Sequence, residues 1–233
     1  MAVIERQITG VELWRSLADE LKLPLVQIAR SAELAEFSQP AKQLRTIETA
    51  ATNALRLIDG YLLVTALGPQ GQLDLSPVSV TATLYDVAQD LYELSKLYDT
   101  AIDIRVGSST GQAMAHAAGL RAAISSLAYT FLTGGLKGRD QTLTLVARQS
   151  KEGITAGVLS DIAHVSAEDL QQARELHGRA SQPAGGFTQN SGIGLYLADN
   201  LFTAMESPLK VIKSGRKTGL AATMLPSHQL ALL

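Results

Sequence analysis

The chain has 233 residues, 46% of them apolar and 18% charged, with a net charge of −2, a composition that suits one large globular domain or two modest ones. That balance offers nothing to neutralise a run of phosphates, which excludes a nucleic-acid partner, and the absence of cysteine excludes disulfides and thiolate metal sites and agrees with a reducing compartment. Aromatic residues make up only 5%, so the core must come from Leu, Ile, Val and Ala, which favours packed helices.

The opening MAVIERQITGVELWR lacks an apolar h-region, so no signal peptide is expected. No stretch reaches the roughly 18 apolar residues a membrane span needs. A cytoplasmic protein is therefore the expectation. From Gly10 to Phe37, Leu13, Leu17, Leu21, Leu25, Ile28 and Ala32 recur on one helical face, with Thr9 and Glu12 placed to cap the start. Pro24 inside this run removes a backbone donor and predicts a kink. After the break at Ser38-Gln39-Pro40, a second helix is expected from Ala41 to Leu67. Its seam is Leu44, Ile47, Ala51, Leu55, Ile58, Leu62 and Thr65, close to a heptad pattern. The hairpin formed by these helices has more apolar surface than one pair can cover. Either two hairpins associate into a dimeric four-helix bundle, or the hairpin packs on its own C-terminal domain.

Gly68-Pro69-Gln70-Gly71 ends the hairpin, and residues 68–72 are the expected linker. It divides a helical-hairpin domain over residues 1–70 from an α/β domain over 71–233. Leu73 to Val80 reads as a short extended piece bounded by Pro77. Thr81 to Tyr98 reads as a helix with Leu84, Val87, Leu91 and Leu94 inward, and AIDIRV at 101–106 as a strand. Ala117 to Leu132 is helical. Strands at 142–147 and 153–160 flank a charged turn at Lys151 and Glu152. A Gly- and Ser-rich loop from Gly178 to Ser191 precedes a helix from Ile193 to about Met205, and strands at 209–213 and 220–225 close the chain as a hairpin around Ser214-Gly215-Arg216. The expected fold class is α+β, a helical hairpin followed by an α/β sandwich with helices on one face of a mixed sheet.

Leu17-Ala-Asp-Glu-Leu-Lys-Leu-Pro-Leu-Val-Gln-Ile28 resembles the H box of sensor histidine kinases, with Glu20, Leu21, Lys22, Pro24 and Leu25 in the expected places. Asp19 stands where that family keeps its phosphorylated histidine. The order of hairpin, linker and α/β domain also matches the family, whose second domain is an ATP-binding unit of the GHKL type, so the resemblance covers nearly the whole chain. Asn190-Ser-Gly-Ile-Gly-Leu-Tyr-Leu-Ala198 is similar to the G2 box. Gly192 and Gly194 would let the backbone approach a polyphosphate at a helix start, or serve only as a turn before a helix. Leu120 to Phe131 resembles the N-box helix, with Ser126 and Thr130 in place of its two asparagines, the second of which normally helps hold Mg²⁺. Val158-Leu-Ser-Asp161-Ile-Ala resembles the G1 box, but Ala163 replaces a glycine. Asp161 would accept the adenine amino proton, or else cap a loop at a strand end.

In this resemblance autokinase chemistry needs an imidazole to attack the γ-phosphate and an adjacent acid to orient it. Glu20 stands where the acid belongs, but a carboxylate at Asp19 is a weaker nucleophile and repels phosphate oxygens. His116, His164 and His177 lie in the C-terminal domain and His228 in the tail, so none replaces it. The resemblance then implies a kinase-like protein deficient in autophosphorylation. It would act by binding a response-regulator receiver domain or another histidine kinase through Lys22, Val26 and Gln27, as a homodimer through residues 10–67. The alternative is a GHKL-type ATPase or phosphatase that keeps ATP, with or without Mg²⁺, on Asp161, Gly192 and Gly194. A phosphotransfer adaptor of this architecture is a third reading, and Asp19 counts against it.

Overall fold

A computed structural model describes residues 10–67, 71–134, 141–161, 165–168, 170, 171 and 192–227, the side chains at 11–13 and 16 aside. The expected cap at Thr9 and Glu12, residues 68–70 of the linker, the loop from Gly178 to Ser191, and Ala163, His164, His177 and His228 lie outside the described residues. The helices are α1 (Gly10–Ala35), α2 (Pro40–Thr65), α3 (Val80–Leu97), α4 (Ala117–Gly134) and α5 (Gly192–Ala204). The strands are β1 (Ser76–Ser79), β2 (Thr100–Val106), β3 (Gln112–Ala115), β4 (Gln141–Ser150), β5 (Gly153–Ser160), β6 (Lys210–Ser214) and β7 (Lys217–Met224). The architecture is α+β, as expected: a helical hairpin, then five strands in the order β2-β4-β5-β7-β6, with β1 and β3 as a separate antiparallel pair. The β2–β4 pair is parallel and the rest of the sheet antiparallel.

Strand alternation explains the layering. Ile102, Ile104, Leu143, Leu145, Ile154, Val158, Leu220 and Met224 point to the helices, where they meet Leu84, Val87, Leu91 and Leu94 of α3, Leu120, Ile124 and Leu127 of α4, and Leu195, Leu201 and Phe202 of α5. The side chain of Ser79 caps α3 by accepting from the Ala82 amide. His116 caps α4, its Nδ1 accepting from the Gly119 amide at 3.0 Å. Entry from the hairpin is pinned by Leu73, whose amide donates to the Ala204 carbonyl at 3.1 Å.

In the hairpin, α1 runs through Pro24, and Leu17 is 1% exposed. The expected seam is not the face that α2 buries in the single chain. The buried residues of α2 are Ala50, Asn53, Ala54, Leu57, Gly60 and Val64, while Leu44, Leu55 and Leu62 of the seam, with Leu25 of α1, are exposed. Small residues face inward because α2 lies close to the helices of the α/β unit, where large side chains would not fit. The hairpin thus packs on its own C-terminal unit through α2 against α4 and α5 and keeps a second apolar stripe outward. No helix of the described residues is long and apolar enough to cross a membrane.

Candidate functional site

The H-box-like turn of α1 carries two consecutive carboxylates, and on a helix consecutive side chains diverge by about 100°. Asp19 points outward and pairs with Lys22 one turn on. Such an exposed pair contributes little stability, roughly 0–1 kcal/mol. Glu20 turns inward, is partly buried, and hydrogen-bonds to the Tyr129 hydroxyl of α4. Burial pushes its carboxyl up to about 7, and the Tyr129 hydrogen bond opposes that rise only in part. The same pocket raises both neighbouring phenols. Tyr129 rises through burial and then through the Glu20 charge, and Tyr98, just past α3, rises for the same two reasons in the same order. A carboxyl at this pH is poised to exchange a proton near neutrality.

Thr130 and Ser126 lie one turn apart on α4. Thr130 is 1% exposed, and its hydroxyl donates to the Ser126 carbonyl at 2.8 Å, which occupies its proton and turns the group back on its own helix. Gly194 of α5 lies directly above: a Cβ there would be 2.5 Å from Thr130 Oγ1 and 3.1 Å from the Ser126 carbonyl oxygen. From the hairpin side, a Cβ on Gly60 of α2 would stand 3.3 Å from Leu197 Cδ1 and 3.8 Å from Ser126 Oγ. Ser126, Thr130 and Gly194 therefore meet, beneath α2. Gly192 opens α5. Asp161 is exposed at the end of β5, where its carboxylate accepts the Thr142 amide at 3.1 Å and so closes the start of β4. Of the docking residues, Lys22 is exposed, Val26 is 47% exposed and Gln27 is half-buried.

Residues not singled out from sequence join the hairpin to the α/β unit. Arg56 of α2 donates to the Asp90 carbonyl of α3 at 2.8 Å, and the Asp90 carboxylate takes Arg121 of α4 at 2.6 Å. Burial lowers the Arg56 guanidinium, the Asp90 charge opposes this, and Arg121 adds to it. Within the hairpin, Trp14 of α1 meets Tyr61 of α2 edge-on with ring centroids 6.0 Å apart. Gly60 inside a strongly periodic helix was the available signal, since such a glycine marks a close approach. Tyr129 left none.

No protein-family model matches the sequence, and no curated protein matches it. Solved structures do match. The chain is similar to Acinetobacter baumannii histidine kinase AdeS at 10% identity, covering 88% of this chain and 96% of that one, with a TM-score of 0.55. It is similar to full-length ShkA in complex with AMPPNP at 17% identity and a TM-score of 0.57, covering 94% of this chain and 47% of that one. It is also similar to a bacterial phosphotransferase at 11% identity and a TM-score of 0.51, covering 95% of this chain and 98% of that one. At these identities the likeness concerns the fold. The chain has the fold of a histidine-kinase transmitter core, a helical hairpin followed by a GHKL-like domain.

Proposed function

We propose that this chain is a histidine-kinase-like two-component signalling protein, deficient in autophosphorylation, that acts by binding a response-regulator receiver domain or a partner kinase. The observation that carries the reading is the state of the N-box place. Ser126 and Thr130 are shut between Gly60 of α2 and Gly194 of α5. These residues do not fit a magnesium nucleotide. Mg²⁺ demands accessible oxygen ligands in near-octahedral geometry, and the Thr130 hydroxyl is buried with its proton already donated. The carboxylate at Asp19, ion-paired to Lys22, supports the same reading, because it offers no imidazole to a γ-phosphate.

In this reading residues 1–70 form the dimerisation hairpin and 71–233 the GHKL-like domain. Two hairpins meet through the outward stripe of Leu44, Leu55 and Leu62, each more than half exposed in the single chain, to make a four-helix bundle in the cytoplasm. Lys22, Val26 and Gln27 receive the signalling partner.

Incubation with labelled ATP followed by acid and base treatment, together with calorimetry against Mg²⁺·ATP, tests the proposal. The expected result is no covalent label and no binding heat at millimolar nucleotide. Acid-labile or base-labile phosphate on the chain overturns it. Micromolar ATP binding lost on Asp161→Asn would instead assign the chain to the nucleotide-binding ATPases or phosphatases of this fold.

A further inference from the structure

The helices cover one face of the five-stranded sheet; the other carries its own side chains in register. Arg105, Val146, Gly157, Ala221 and Lys210 form one row across it, and Asp103, Thr144, Leu159, Gly219 and Ile212 the next. Glycines bring the central strands close here: a Cβ on Gly219 would lie 1.9 Å from the Val158 carbonyl oxygen, and one on Gly157 would lie 2.2 Å from that of Leu220. A concavity of about 420 Å³ opens on this face. Val146, Leu159 and Ile212 supply apolar lining, Arg105, Arg148 and Lys217 line it with positive charge, and Lys213 adds a cation at its β6 edge.

We propose that this concavity binds a small amphiphilic anion, a compact apolar body carrying a phosphate or carboxylate group. Of the two carboxylates the described strands bring to this face, Asp103 is engaged by Arg105 at 2.9 Å, and Asp161, just past β5, accepts the Thr142 amide at 3.1 Å and forms no ion pair. Lys217 donates at 2.7 Å to the Thr144 hydroxyl, a neutral group. Arg148 and Lys213 are exposed and form no ion pair among the described residues. Arg148, Lys213 and Lys217 thus form no ion pair at a recess in a chain whose net charge is −2, so the accumulation is local and does not follow from composition. A recess lined by one sign of charge focuses its field on a small ligand of the other sign. Its volume lies in the range of roughly 300–1,000 Å³ typical of small-molecule sites, and its apolar lining rewards a ligand with an apolar body over a bare anion. The overall negative charge disfavours a polyanion. Because this face is turned away from α4 and α5, the inference stands apart from any nucleotide question.

The test is a titration of the full chain with 1-naphthyl phosphate, followed by calorimetry and by amide chemical shifts. Inorganic phosphate and 1-naphthalenemethanol serve as the anion-only and apolar-only probes. Saturable binding is expected for naphthyl phosphate, about tenfold or more tighter than for either separate part. Its shifts should map to β2, β4, β6 and β7, and added salt should weaken it. The double variant Arg148→Ala/Lys213→Ala should lose about tenfold or more in affinity with an unchanged thermal midpoint, whereas Arg148→Lys/Lys213→Arg should retain it. Equal binding by the alanine variant, equal binding of the neutral naphthalenemethanol, shifts confined to the helical layer, or no saturation would each overturn the proposal.

Discussion

Replacing Glu20 with glutamine should stabilise the protein at alkaline pH and leave it nearly unchanged at acid pH. Glu20 titrates at about 7 in the folded protein against 4.5 for an unperturbed glutamate, because the carboxylate loses hydration against α4 and forms no ion pair among the described residues. A folded-state value raised above the unfolded one means that the native protein holds the proton more tightly. The stability is present in full below pH 4.5, declines as pH rises between 4.5 and about 7, and stays lowered above that. At about 1.4 kcal/mol per unit the raised pKa corresponds to about 3 kcal/mol at most, and partial solvent contact reduces the expectation to about 1–3 kcal/mol at pH 8. Glutamine carries no charge and its carbonyl can still accept the Tyr129 hydroxyl, so the substitution removes the titration while keeping the shape. Urea unfolding of both proteins at one fixed concentration, at pH values from 5 to 8, gives the comparison. A stability difference that grows with pH agrees with the buried-carboxyl account, and a difference that is flat across the range refutes it.

Gly194→Ala should destabilise by about 1–3 kcal/mol despite alanine's better helix propensity, because the new methyl would enter Thr130 Oγ1 and the carbonyl of Ser126. Adding Thr130→Ala should restore part of the loss, and a double-mutant cycle in urea measures that coupling. Asp90→Ala should cost about 1–2 kcal/mol, since it removes the carboxylate shared by Arg121 and the partly buried Arg56, which keeps the backbone carbonyl of residue 90 and Asn53, whereas Arg121→Ala, whose guanidinium is half exposed, should cost less than about 1 kcal/mol. Denaturant midpoints rank the two. Leu55→Glu/Leu62→Glu should leave the chain folded and monomeric in sedimentation, because both positions are exposed in the single chain; an unchanged sedimentation coefficient counts against the outward stripe as the dimer contact.

Much of the fold was legible because its periodicities were strong. Leu84, Val87, Leu91 and Leu94 predicted α3, and all four are at most 2% exposed. The alternation in AIDIRV gave β2 within a residue of its observed start. The strand β3 was missed. It is four residues long, follows a Gly- and Ser-rich turn, and is held by its distant pairing with β1, Pro77 opposite Met114, which no local pattern reports. The face of α2 that meets the α/β unit was not legible for a related reason. Periodicity weights large apolar residues, and this helix buries Ala50, Ala54 and Gly60 while showing Leu44, Leu55 and Leu62. Among the candidate site residues, Ser126, Thr130 and Gly194 were legible as motif positions. Their contact with Gly60 was not, because it depends on how the hairpin settles against a unit more than sixty residues away in sequence.

The two carboxylates of α1 divide their roles because a helix turns between them. Asp19 keeps partial contact with solvent, where Lys22 satisfies it at little net gain. Glu20 is carried against Tyr129, on the helix that also holds Ser126 and Thr130. One step along the chain therefore separates a group available to a partner from a group spent on internal contact. In a catalytic hairpin the adjacent acid must be free to orient an imidazole; here the acid is bound to the second domain and its proton is held there up to neutrality. Loss of that proton leaves an uncompensated charge between α1 and α4, which weakens the hairpin's hold on the α/β unit. The hairpin that carries the Asp19–Lys22 pair on one side thus reaches Tyr129 through Glu20 of α1 and Ser126 through Gly60 of α2 on the other.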